Sequence, residues 1–208
     1  MLVGTLAALR RYPVKSLQGQ ALDEARIAPG GVDGDRTAAL FVREGPAREG
    51  KTYRGKENER LHLTADAAEA ESLAAQRGVR LDLREGERFF DDAPISIVLD
   101  CWLNQLSALL GYAVQWERFR PNFFVRAAAG FARSETDLSG AQLQLGGAHL
   151  RVRSPIERCV TVTYDPQGNA SDPLVLRMLA QHRDNLMGIY CEVVRPGVAR
   201  AGDPLVLL

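Results

Sequence analysis

Cysteine is scarce in this chain: there are three in 208 residues, at positions 101, 159 and 191. Their odd number and wide spacing argue against a disulfide framework and for a reducing cytoplasm. With no Cys-X-X-Cys pair and no close cysteine–histidine spacing, a structural zinc site is not expected. Net charge is lacking too. Twenty-six basic residues offset twenty-six acidic ones, so no global field draws the chain to nucleic acid or an anionic membrane. No apolar run approaches the roughly 20 residues of a membrane helix. The opening MLVGTLAALRRYPVKS carries its arginines after the apolar stretch, the reverse of a secretory signal. The P-loop glycine pattern, GxSxG and HExxH are all missing, which removes three families of chemistry from consideration.

What is present is an ordinary apolar content of 46%, enough for one large domain or two small ones that share a core. GTLAALRRYPV (4–14) and the runs on either side of PGGVDGD read as strands with tight turns. Segment 44–60, EGPAREGKTYRGKENER, is charged and poor in apolar residues, and reads as an exposed loop. LTADAAEAESLAAQRG (63–78) predicts a helix, capped by Thr64 or Asp66 and stopped by Gly78. VRLDLRE (79–85) alternates as a strand. A second unit opens near residue 91 with an apolar strand and a helix, Asp100 as its N-cap and Gly111 as its stop; Leu103, Leu106 and Leu110 share one face. YAVQWERF (112–119), AQLQLGG (141–147) and AHLRVRSP (148–155) read as strands. A third helix starts at Asp172 and Pro173, and the chain ends as strand, turn, strand. The expectation is a β-rich α+β fold with about three helices, closer to barrels than to a βαβ series.

Three places carry candidate chemistry. In SPIERCVTVTYDP (154–166), Cys159 follows Arg158 at the start of a strand-like run. A neighbouring cation lowers the cost of a thiolate, yet a cysteine in a strand is also a small buried apolar residue. The dipeptide alone favours the inert, buried reading. Cys101 and Cys191 lie in apolar contexts and read as core. YPVKSLQG puts Lys15 and Ser16 directly after a strand, where an ammonium, a hydroxyl and backbone N–H groups suit an oxyanion or phosphate; a solvated loop lysine is the plain alternative. RFRPN offers Arg120, a planar fork, and Asn122, a donor and acceptor, on either side of a rigid proline. His62, His149 and His182 are scattered; a Cys159–His182 hydrolase pair is a remote option.

Read together, these pieces resemble the MOSC family, in the branch of the mitochondrial amidoxime-reducing component and its bacterial relatives. YPVKS (12–16) and GVDGDR (31–36) are similar to its N-terminal β-barrel domain. DAP (92–94), RFRPN (118–122), RCVTVTYDP (158–166), DPLVLRML (172–179), GIY (188–190) and PGVARAGDPLVLL (196–208) are similar to the MOSC domain proper. The tags are short, and their specificity lies in their order. The resemblance implies an N-terminal domain over 1–90, a MOSC β-barrel over 91–208, and a molybdenum cofactor (Mo-molybdopterin) between them. It assigns Cys159 as the metal ligand and catalytic residue, with Lys15, Ser16, Arg36, Arg120, Asn122, Arg158 and Tyr190 as cofactor contacts. A soft thiolate suits a metal already held by soft sulfurs.

The activity this implies is reduction of N-hydroxylated or N-oxide small molecules, with electrons from a separate donor protein. Partners would include neither nucleic acid nor membrane. Two other classes stand beside it: a carrier of molybdenum cofactor or sulfur without turnover, and a metal-free anion-binding or nucleotide-binding β module. Two residues depart from the family pattern. Glu157 replaces the usual small polar residue before the arginine, and Asp100 stands where relatives open the mid-chain helix with serine or threonine.

Overall fold

The computed structural model describes residues 1–86 and 88–208. LVGTLAALRR makes strand β1 (Leu2–Arg11), and register shifts at Leu2/Gly4 and Leu6/Ala8 let Val3, Leu6 and Leu9 all be buried although they do not alternate strictly. Next come β2 (Gln20–Leu22), β3 (Glu24–Ala28), β4 (Gly31–Val32), β5 (Ala38–Glu44), helix α1 (Ala67–Ala75) and β6 (Arg80–Glu85). The second half holds β7 (Ile95–Leu99), α2 (Asp100–Leu110), β8 (Phe123–Ala127), β9 (Gln142–Leu145) and β10 (Ala148–Glu157). It ends with α3 (Pro173–His182), β11 (Leu186–Arg195), β12 (Gly197–Arg200) and β13 (Pro204–Leu207).

Strands β13, β9, β10, β11, β7, β8 and β1 are hydrogen-bonded in that order, and β1 pairs back onto β13 to close a seven-stranded barrel. Neighbours run antiparallel except β7 and β8, whose parallel pairing is bridged by α2. Closure leaves no open edge within the ring. The ring encloses the larger core, including Leu6, Ile97, Phe123, Val125, Leu150 and Ile189. Thus the first strand of the chain belongs to the barrel that the second half builds. Two smaller sheets stand outside: β12–β3–β4, and the pair β5–β6. The latter packs with α1 around a second core of Leu17, Leu40, Val42, Tyr53, Leu61, Ala70, Ala74 and Val79. The β-rich α+β architecture with three helices is as the sequence reading expects.

Local expectations fare unevenly. Asp66 caps α1 by accepting the Glu69 N–H, and Asp172 caps α3 with Pro173 in the first helical position. Gly111 ends α2 with φ of 78°. Asp100, expected as the N-cap, is instead the first residue of α2, because its carboxylate accepts the Ala127 N–H at the end of β8, 2.8 Å away. It therefore serves the barrel.

YAVQWERF does not extend as a strand. Trp116–Phe119 is a 3-10 turn, with Trp116 stacked on Phe124 at 4.9 Å. Val160–Thr163, read as part of a strand, is also a 3-10 turn. Its β-branched residues have no partner strand, and the Thr163 and Tyr164 carbonyls both accept from Arg118 Nη1. Segment 44–60 is not merely an exposed loop: Tyr53 and Asn58 within it are buried.

Candidate functional site

A cavity of about 560 Å³ opens between the small core and the barrel. The end of β1 delivers Tyr12, Lys15 and Ser16 to it, the end of β10 delivers Glu157, Arg158 and Cys159, and β11 adds Tyr190. Arg36, Arg120 and Arg54 complete its basic wall. The structure thus gathers Lys15, Ser16, Arg36, Arg120, Arg158, Cys159 and Tyr190 around one space. Asn122 does not line it. Its Oδ1 accepts from both the N–H and the hydroxyl of Ser96, each at 3.0 Å, while its Nδ2 donates to the Arg10 carbonyl. That buried carboxamide ties β7 to β8 and β1.

Tyr12 is the pivot of the basic wall. The Arg36 and Arg120 guanidinium carbons lie 4.8 and 4.2 Å from the centre of its ring, a cation–π arrangement that holds two like charges near each other. Lost hydration raises the Tyr12 pKa and the two arginines pull it back. Arg36 is paired with buried Asp35; lost hydration opposes its charge, but Asp35 overrides this and its pKa is raised. Arg120 and Arg158 differ. Each is part-buried, donates to backbone carbonyls, and has no carboxylate partner among the described residues. Lost hydration lowers both to about 10, which still leaves them charged at neutral pH. The cavity wall therefore includes two part-buried guanidinium groups, Arg120 and Arg158, without an ion-pair partner among the described residues.

Lys15 Nζ meets Asp91 Oδ1 at 2.6 Å. Lost hydration opposes the Asp91 charge, but Lys15 prevails and holds the carboxyl below its usual range. Lost hydration also raises the Tyr190 pKa, so its hydroxyl keeps its proton at neutral pH and can donate a hydrogen bond. Cys159 is exposed, and its Sγ lies 3.2 Å from the Thr161 hydroxyl. Cys191 is buried, and lost hydration raises its thiol pKa beyond any use as a thiolate.

The family model described as the MOSC domain matches residues 84–206. This chain belongs to the MOSC domain family. Its curated relatives include mitochondrial amidoxime-reducing component 1 of Homo sapiens, 27% identical over 133 residues, which are 58% of this chain and 38% of that protein. Mitochondrial amidoxime reducing component 2 of Homo sapiens is 27% identical over 128 residues, 55% of this chain and 37% of that one. The chain thus aligns with well under half the length of these relatives. Among solved structures, the YUAD protein from Bacillus subtilis matches with a TM-score of 0.58 and 20% identity over 97% of this chain and 93% of its own, which bears on the fold alone.

The MOSC match contains Arg120, Arg158, Cys159 and Tyr190, whereas Lys15, Ser16 and Arg36 precede it and reach the cavity through β1 and the turns that follow. Several wall residues escaped sequence reasoning: Tyr12, Arg54, His62, Asp91, Arg118 and Tyr164. Tyr12, Arg118 and Tyr164 lie within YPVKS, RFRPN and RCVTVTYDP, and Asp91 directly precedes DAP. Arg54 and His62 had a fainter signal, since Tyr53 is the one aromatic of segment 44–60 and so its natural anchor.

Proposed function

We propose that this MOSC protein holds a molybdenum cofactor in the cavity and reduces N-hydroxylated or N-oxide compounds. One observation carries the reading: Arg120 and Arg158 stand on the cavity wall without an ion-pair partner among the described residues, in the same cavity as the exposed thiol of Cys159. Uncompensated, part-buried cations are costly, and an anionic ligand removes that cost. The donor set fits a pterin dithiolene with a phosphate, which is anionic and presents soft sulfur to a metal that also accepts a thiolate.

In this reading Cys159 supplies the sulfur ligand. Arg36, Arg120 and Arg158 neutralise and orient the anion, Lys15 and Ser16 bound it at the end of β1, and Tyr190 Oη donates a hydrogen bond. When bound, the group supplies two-electron reduction with removal of oxygen from the substrate. The balance is one N–O bond broken, two electrons and two protons consumed and one water released, the electrons coming from a separate donor protein. The relatives' name, amidoxime-reducing component, supports this substrate class. The same reading places the chain in the cytoplasm, where Cys159 stays reduced.

The test is molybdenum and pterin analysis of protein from a cofactor-competent host, followed by amidoxime reduction with an artificial electron donor. Wild type is expected to carry molybdenum, and Cys159→Ala to lose most of it. Equal metal in both would overturn the ligand assignment. Metal-loaded protein without turnover would replace the reductase by a cofactor carrier.

A further inference from the structure

Arg158 is held at both its backbone and its side chain. Its backbone N–H donates to the Asn185 carbonyl at 2.9 Å, and its own carbonyl accepts from Asn185 Nδ2 at 2.6 Å. Its side chain donates from Nε and Nη2 to the Met187 carbonyl and from Nη1 to the Phe119 carbonyl. The Met187 carbonyl and the Gly188 N–H belong to one peptide unit, and that N–H donates to Glu135 Oε1. Glu135 in turn pairs with Arg183 Nη2 at 2.6 Å, with side chains only 4% and 9% exposed. The peptide thus lies between a carboxylate at its N–H and a guanidinium at its carbonyl.

Such a placement polarises the peptide in the direction that strengthens the carbonyl as an acceptor. Gly188 is needed for the geometry. Its φ is +90°, and a Cβ there would meet the Ile97 carbonyl at 2.7 Å. Asp184 and Asn185 are also held at positive φ, 49° and 61°, a cost that persists only where surrounding contacts enforce it. Arg183 is fixed by a second bond, to Gln105 of α2.

We propose that Glu135 is a positioning residue for Arg158: paired with Arg183, it orients the Met187–Gly188 peptide whose carbonyl holds the guanidinium beside Cys159. The device lies outside the cavity wall. It acts on the charge next to the thiol whether or not the cofactor reading is right.

The test uses the full chain, carrying Cys101→Ser and purified from a host that makes no molybdenum cofactor, so that Cys159 is free. Its thiol is titrated with dithiobis(nitrobenzoate), which carries two carboxylates, and with dipyridyl disulfide, which is neutral. The ratio of the two rate constants reports the local field, and a general loosening of the fold raises both rates without selecting between them. Glu135→Gln is expected to lower the ratio about threefold, the effect of moving one cation away from a solvated site. In an Arg158→Gln background it is expected to leave the ratio unchanged. If Glu135 were only a distant negative charge, its removal would raise the ratio, and a rise or no change overturns the proposal. Should Glu135→Gln fail to fold, Arg183→Lys, which keeps the charge and loses the fork, is expected to lower the ratio part-way; an unchanged ratio there overturns it equally.

Discussion

Asn122 and Arg120 are two residues apart, and the fold assigns them opposite work. Arg120 turns to the cavity from a left-handed backbone, φ 50°, while Asn122 turns inward and answers Ser96 twice. Asn122→Ala removes an acceptor from a buried N–H and a buried hydroxyl, which costs about 1–3 kcal/mol. Urea unfolding is expected to register that loss, with molybdenum content per folded molecule unchanged; a loss of metal at unaltered stability would return Asn122 to the ligand set. Sequence reasoning grouped the two because both flank Pro121, and the resemblance then made both cofactor contacts. What no sequence displays is which way a side chain faces beside a proline. Seven of the eight residues nominated do line the cavity, since residue type and order were legible. Arg54 and His62 were not, because their place depends on a loop anchored by Tyr53. The Glu157 departure is also clearer now: it is an exposed carboxylate on the cavity wall with no ion-pair partner among the described residues, unlike Asp91, Asp92 and Glu117.

At the scale of elements, the helices were legible and the turns were not. Caps act within a few residues, so Asp66, Gly111, Asp172 and Pro173 declare themselves locally. Val160–Thr163 has strand-forming residues and becomes a turn whose last carbonyl, and that of Tyr164 after it, are taken by Arg118, 45 residues before Thr163. That turn is clamped to the small core by His62. Its ring stacks on Tyr164 at 5.8 Å, and Nε2 donates to the Asp165 carbonyl at 2.6 Å, which fixes the proton on that nitrogen. Lost hydration lowers the His62 pKa below its ordinary 6.5. A depressed histidine favours the neutral form in the folded state. Its contribution is therefore complete above the unfolded value and lost as pH falls through the folded one. The urea midpoint of wild type is expected to drop between about pH 7 and about pH 5 by more than that of His62→Phe; parallel drops would remove His62 from the clamp.

The whole molecule resolves into a barrel closed by β1 against β13 and a small core beside it, with the cavity where they meet. Closure matters for the site because β1 and β10 carry its two halves, and the ring fixes their separation. It was illegible in the sequence because pairing between the first strand and the last leaves no local trace. All five non-glycine residues with positive φ among those described attend this region: Ser16, Arg36 and Arg120 on the wall, Asp184 and Asn185 at the grip on Arg158. Strain of this kind, added to arginines without an ion-pair partner among the described residues, lowers the stability of the empty protein in favour of an anion. Net charge is zero, so no overall field gathers anions, and variants of that wall separate a bound anion from the general effect of salt. Pyrophosphate is accordingly expected to raise the melting temperature of cofactor-free protein above a sodium chloride control of equal ionic strength. At a hundredfold excess over Kd the gain amounts to about 2.7 kcal/mol. Arg120→Gln and Arg158→Gln should each blunt that gain, whereas Arg43→Gln, on an exposed strand end, should leave it whole. A gain of equal size in all three variants would make the effect a general one of salt and take the anion out of the cavity.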